Sequence, residues 1–93
     1  MEAIYKYPLE VTSIQYVKMS HRARLLCVQN QDDVPTLWAV VNQAARLVTR
    51  KLQMFATGEC ADEGITGKYA GTVQLGAFVW HYFDMGEHTL DGK

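Results

Sequence analysis

Lys68-Tyr69-Ala70-Gly71-Thr72-Val73-Gln74-Leu75-Gly76-Ala77-Phe78-Val79-Trp80-His81-Tyr82-Phe83-Asp84 is the stretch that decides the fold. Residues 78–84 alternate at period two: Phe78, Trp80 and Tyr82 share one face, and Val79, His81 and Phe83 share the other. Residues 68–75 read as a second strand, and Gly76-Ala77 between the two has the composition of a tight turn. The chain therefore ends in paired strands rather than in a helix.

Upstream of this pair the same period recurs. Residues 57–68 hold Gly58, Gly64 and Gly67 and form the one long loop; loops of about ten residues in compact domains are often functional. Residues 46–57 are ambiguous. Asn42 suits a helix cap and Ala44, Ala45, Leu47 and Val48 tolerate a helix, but Val48-Thr49 and Phe55-Ala56-Thr57 favour a strand, which is the preferred reading. Residues 34–41 are apolar on both faces, with Leu37, Ala39 and Val41 alternating with Trp38 and Val40, as in a strand covered twice or lying at a subunit interface. Residues 42–45 are expected to close a hairpin from that strand into the next. Residues 24–29, 12–19 and 3–7 complete the set, with polar breaks at 20–23 and 30–33. Pro8, lacking an N–H, suits a strand end or a sheet edge. The expectation is an all-β or β-rich chain with at most one short helix, a small antiparallel sandwich or half-open barrel of about seven strands. Residues 1–84 make a single domain and residues 85–93 a polar C-terminal tail.

Composition narrows the function classes. At 93 residues the chain is one domain, and at 48% hydrophobic and 20% charged residues it is not disordered. A domain this small has a thin stability margin, so a homo-oligomer, a dimer or higher, is expected. The net charge of −1 lacks the basic footprint of a duplex-DNA binder, and a DNA mimic would be far more acidic. No apolar run approaches the ~18–20 residues needed to cross a bilayer. The N-terminus has no basic flank followed by an apolar stretch, so the expected location is cytoplasmic.

No Walker loop, zinc-spaced cysteine pair, His-Glu-x-x-His or Gly-x-Ser-x-Gly occurs. The expectation is no catalysis, no metal and no cofactor. Cys27, inside Leu25-Leu26-Cys27-Val28, reads as a buried small hydrophobe, and Cys60, in a Gly-Glu-Cys-Ala-Asp loop, as exposed. Neither is assigned a role.

The ligand-binding candidates are Trp38, Arg50, Thr57, Gly58, Gly71, Thr72, Trp80 and His81. Trp38 and the rings of 78–83 exceed what so small a core can bury on two faces, and the surplus should cover a partner or stack on a base. Arg50 shares a strand face with Val48, Leu52, Met54 and Ala56, so its guanidinium needs either a carboxylate of the fold or a ligand phosphate. Thr57-Gly58 and Gly71-Thr72 offer hydroxyls and close backbone approach. His81 reads either as a hydrogen-bonded strand histidine or as a donor to a base edge or phosphate.

Ile4-Tyr5-Lys6-Tyr7-Pro8-Leu9, Val34-Pro35-Thr36-Leu37-Trp38-Ala39-Val40-Val41, Phe55-Ala56-Thr57-Gly58, Gly71-Thr72-Val73-Gln74 and Phe78-Val79-Trp80-His81-Tyr82-Phe83 together resemble a family of small bacteriophage and prophage proteins catalogued as a domain of unknown function. The resemblance spans residues 3–83. Family members often carry His after the Thr-Gly and a short Pro-containing loop, where this chain has Glu59 and Cys60 and a loop without proline. The resemblance implies a phage origin. Small phage accessory proteins commonly counter host defences, either as sponges for a cyclic nucleotide signal, of the anti-CBASS type, or as protein-binding inhibitors of a host effector or nuclease. The residues lean towards the sponge.

Overall fold

Asp32 and Asp33 both hold positive φ, 51° and 66°. That is the backbone of a type I′ turn, whose twist matches the strands it joins. It pins β3 (Arg24–Gln31) to β4 (Val34–Asn42), with Gln31 opposite Val34. Gly76, at φ 60°, opens the second two-residue turn in the II′ manner. It pins β6 (Lys68–Leu75) to β7 (Phe78–His88), with Leu75 opposite Phe78. β1 (Glu2–Pro8), β2 (Ile14–Ser20) and β5 (Leu47–Ala56) complete a seven-stranded, helix-free fold in a computed structural model that describes residues 1–88. The ambiguous segment 46–57 is thus a strand.

All seven strands lie in one sheet of order β1-β4-β3-β6-β7-β5-β2. The sequence neighbours β1 and β2 occupy opposite edges, so residues 9–13 must bring one edge round to the other. The sheet answers by curling into a half-barrel. Along this link Leu9 N–H donates to the Pro35 carbonyl (2.8 Å) and Met54 N–H to the Ser13 carbonyl (2.8 Å). The inner face buries Met19, Val28, Leu37, Ala39, Val41, Leu52, Met54, Val73 and Tyr82, with Leu9 folding over them. Tyr82 is fully buried, and its hydroxyl donates to the Glu10 carbonyl at 3.0 Å. Burial pushes its pKa up to about 12.

Four sequence expectations change. Residues 42–45 form a turn, with Asn42 Oδ1 accepting from Ala44 N–H at 3.0 Å, but not a hairpin. Both edges of β4 are already taken by β1 and β3, so β5 is carried across to pair with β7 and β2. The sheet is not wholly antiparallel, because β3 and β6 run parallel, registered at Val28 opposite Gly71. The last strand continues past Asp84 to His88. Gly86 (φ 93°) allows a bulge there, and its N–H donates to Asp84 Oδ1 at 2.8 Å. The rest of the expected tail, residues 89–93, lies outside the described residues. Cys27 is half-buried on the outer face opposite Trp38, since a bulge after Leu25 turns it away from the core; Cys60 is exposed as read.

Gly71 is where β3 and β6 touch. A Cβ there would stand 2.5 Å from the Val28 nitrogen and 2.6 Å from its carbonyl oxygen. Backbone cannot turn aside, so Gly71→Ala should cost about 3 kcal/mol, the upper end for overpacking. Gly76→Ala meets open space and bears only its left-handed φ, about 1 kcal/mol. Urea unfolding of the two variants checks the ranking, and equal losses would refute the close seam.

Candidate functional site

Arg50 projects from the inner face of β5, as its alternation with Val48 and Leu52 requires. It meets a carboxylate of the fold. Its Nε donates to Asp84 Oδ1 at 3.0 Å and its Nη2 to Asp84 Oδ2 at 3.1 Å, a bidentate pair. Nη2 also donates to the Ala23 carbonyl at 3.0 Å. Each side chain of the pair is 12% exposed. A bulge sets this up: Leu52 stands opposite Asp84, then the register shifts so that Arg50 stands opposite Glu87.

A cleft of about 280 Å³ opens over the pair, lined by Arg22, Arg24, Lys68 and Tyr69 among others. It adjoins a second of about 430 Å³ that shares Arg50, Lys68 and Asp84 and extends to Thr66 and Gly86. Parallel pairing explains the gathering of cations, because β3 and β6 begin at the same end and bring Arg24 and Lys68 to one mouth. Arg22 sits in the crossing turn at φ 62°. Asp84 is committed to Arg50, so Arg22, Arg24 and Lys68 give the lining of the smaller cleft a surplus of positive charge. Glu87, nearby, accepts from Arg22 N–H at 2.7 Å and approaches His21 Nδ1 at 2.8 Å. The Arg22 N–H above all, then His21 and Arg50, holds its carboxyl below the ordinary carboxylate range.

A polar chain runs along the outer face from the rim of this cleft. The Tyr69 hydroxyl lies 2.6 Å from Thr72 Oγ1, which lies 3.0 Å from His81 Nδ1. His81 Nε2 lies 2.7 Å from Thr57 Oγ1. Which threonine hydroxyl accepts and which donates follows from the ring nitrogen that carries the proton. The Tyr69 ring, 63% exposed, leans edge-on against Phe83 (5.8 Å), which meets Phe55 in the same way (6.0 Å). Tyr69 thus belongs to both the cleft and the chain of hydrogen bonds.

Of the residues singled out in the sequence, Thr57, Thr72 and His81 come together, and Arg50 lies one strand-end away with its charge already met. Gly58 (φ 87°) makes the turn after Thr57, closed by Ala56 N–H donating to Glu59 Oε1 at 2.9 Å. Gly71 serves the β3–β6 seam. The tryptophans are elsewhere. Trp38 lies on the outer face of β4 opposite Lys6 and Cys27. Trp80 lies inside, against the core and stacked on Phe78 at 5.7 Å. The sequence reading missed Arg22, Arg24, Lys68 and Tyr69. No local pattern marks them, since only the parallel crossover unites them.

Residues 1–91 match the family described as Domain of unknown function (DUF7352), and the chain belongs to it. No curated protein and no solved structure matches the chain.

Two outcomes follow from the charges. Arg50→Met strands Asp84 in a nearly closed site and should cost about 3 kcal/mol. Arg50→Met/Asp84→Leu should recover most of that loss, and a double variant no more stable than the single would show the two side chains to be uncoupled. Glu87 has a lowered pKa, so its stabilising effect is complete above the ordinary carboxylate range of about 4.3 and is lost as pH falls through the lowered value. Acid unfolding should therefore be shallower in Glu87→Gln than in the wild type, and superimposable acid profiles would contradict the assignment.

Proposed function

We propose that this DUF7352 protein binds a small anionic nucleotide, cyclic or linear, and withholds it without altering it. The observation that carries the reading is the cleft itself. Three cations, Arg22, Arg24 and Lys68, surround an arginine whose charge is neutralised within the fold, and an exposed tyrosine ring stands at the rim. Phosphate oxygens would take the exposed cations, where charge-assisted hydrogen bonds are strongest. A base would lie on Tyr69, in the role that Trp38 or Trp80 is given from sequence, because neither tryptophan lines the cleft. Both ring nitrogens of His81 are already bonded to Thr57 and Thr72, so these residues would act through the relay that orients the Tyr69 hydroxyl beneath the base. Gly58 would let Thr57 and its turn come close.

The resemblance to phage proteins gives this activity a setting. Sequestering a cyclic nucleotide immune signal in the host cytoplasm would blunt a defence that depends on that signal. The chain would then act by stoichiometry, as a non-enzyme, and need no cofactor. Among the described residues no helix is long and apolar enough to cross a membrane.

Differential scanning fluorimetry against cyclic di- and trinucleotides tests the proposal. Ligand at ~100 times its Kd adds about 2.7 kcal/mol of stability, a shift of well over 5 °C in a domain of this size. Lys68→Ala and Arg24→Ala should each weaken binding by about 1.5–3 kcal/mol and leave the ligand-free melting temperature unchanged, since both residues are exposed. Unmodified nucleotide recovered after denaturation would support sequestration, and a cleaved product would overturn it. A panel with no shift would favour the inhibitor of a host protein instead.

A further inference from the structure

β1 is a sheet edge whose one hydrogen-bonded neighbour is β4. Two backbone bonds at the ends of that ladder, Leu9 N–H to Pro35 O and Gln43 N–H to Met1 O, fix its parity. In an antiparallel ladder, bonded and non-bonded pairs alternate. Ala3, Tyr5 and Tyr7 therefore direct N–H and C=O at β4. Glu2, Ile4 and Lys6 direct theirs to the open side. All three side chains are exposed, Ile4 at 62%. An open edge with an apolar centre is a template for another strand.

We propose that the strand it takes is β1 of a second copy, antiparallel about a two-fold axis at Ile4. In this register Ile4 faces the partner's Ile4, Glu2 faces the partner's Lys6, and Lys6 faces the partner's Glu2. Every outward backbone group of these residues meets a complementary one, with an ion pair on either side of the axis. Opposite charges directly across a ladder stabilise it, and like charges oppose it. A centre at Glu2 or Lys6 sets like charges against each other. A centre at Ala3 or Tyr5 leaves both charges without an opposite partner. Pro8, with no N–H to give, lies beyond the paired residues. The Lys6 ammonium now donates to Gln31 Oε1 at 2.9 Å and has further protons for a carboxylate.

The other edge fits less well. Met54 N–H to Ser13 O and His21 N–H to Arg46 O show that Ile14, Tyr16 and Lys18 face outward from β2. Paired with itself about Tyr16, β2 sets Lys18 against Ile14. Paired with β1, it keeps Glu2 against Lys18 but sets Lys6 against Ile14, and such head-to-tail contacts give rings or filaments rather than a two-fold pair. The β1 pair closes at two copies and joins two half-barrels into one continuous sheet.

Size-exclusion chromatography with light scattering should give twice the 10.5 kDa mass of the chain. Ile4→Pro removes an outward N–H and none that β4 uses, so it should yield a folded monomer by circular dichroism. Lys6→Glu should also give a monomer, and Glu2→Lys/Lys6→Glu should restore the dimer because the exchanged charges face each other again. That rescue decides the question even if Ile4→Pro does not fold. A wild-type monomer at the highest concentration reached, a dimer indifferent to these changes, a double exchange that does not rescue, or assembly growing past two copies would each overturn the proposal. The readout is mass, so it stands or falls apart from nucleotide binding.

Discussion

The contact on which the rest of the structure depends is the approach of β6 to β3 at Gly71 and Val28. Among the described residues it is the one parallel step in an otherwise antiparallel sheet, and it joins the hairpin β3–β4 to the hairpin β6–β7. Each hairpin is specified locally by its turn, but neither turn says how the two should meet. A residue with a side chain at position 71 would hold the strands apart at the Val28 backbone. With glycine there, β1, β4 and β3 are fastened to β6, β7, β5 and β2, and the inner face closes over Val28, Val73 and Tyr82. The constraint is steric, and it decides whether one core forms or two separate half-sheets.

The cleft is a consequence of that parallel step. Two strands that start at the same end bring their first residues together, and here those are Arg24 and Lys68. Arg50 and Asp84 fill the space beneath them, at a bulge where β5 and β7 fall out of register. Burying one ion pair in this way is weak evidence for stability, since desolvation offsets much of the attraction. Its effect on the surface is clearer. Asp84 is kept from neutralising the exposed cations above it, because both its oxygens are held by the guanidinium.

Most strands and their faces were legible in the sequence, because alternation is a local property, but parity failed where a bulge intervenes, as at Cys27. Phe78, Trp80 and Tyr82 face inward and Val79, His81 and Phe83 outward, as period two requires. Arg50 stood out as a cation in an apolar series, and the fold supplies the carboxylate such a residue needs. The pairing of strands was not legible. Residues 42–45 have the polarity of a hairpin turn, yet the strands they connect are apart in the sheet, because β1 and β3 occupy both edges of β4. The site suffered most from this. Thr72 and His81 face each other within one hairpin and could be grouped from the sequence, and Thr57 joins them from the turn after β5, whereas Arg22, Arg24, Lys68 and Tyr69 are united only by a crossover that no local pattern encodes. The tryptophans lie away from the cleft for a related reason: large rings signal burial or contact, but not which face of a curled sheet they reach.

Net charge illustrates the same limit. A total of −1 argues against binding a long polyanion, whose affinity depends on many phosphate contacts spread over a surface. It says little about a ligand with one or two phosphates, which needs only a local excess. That excess comes from Arg22, Arg24 and Lys68 at one end of the sheet, while Asp32 and Asp33 occupy the β3–β4 turn at the other. Under the proposed function, separation of charge within a nearly neutral chain would let a small anion be held without the extended basic surface that a nucleic acid needs. The sheet order makes that separation possible, because it places the start of β6, from a remote part of the sequence, beside the start of β3.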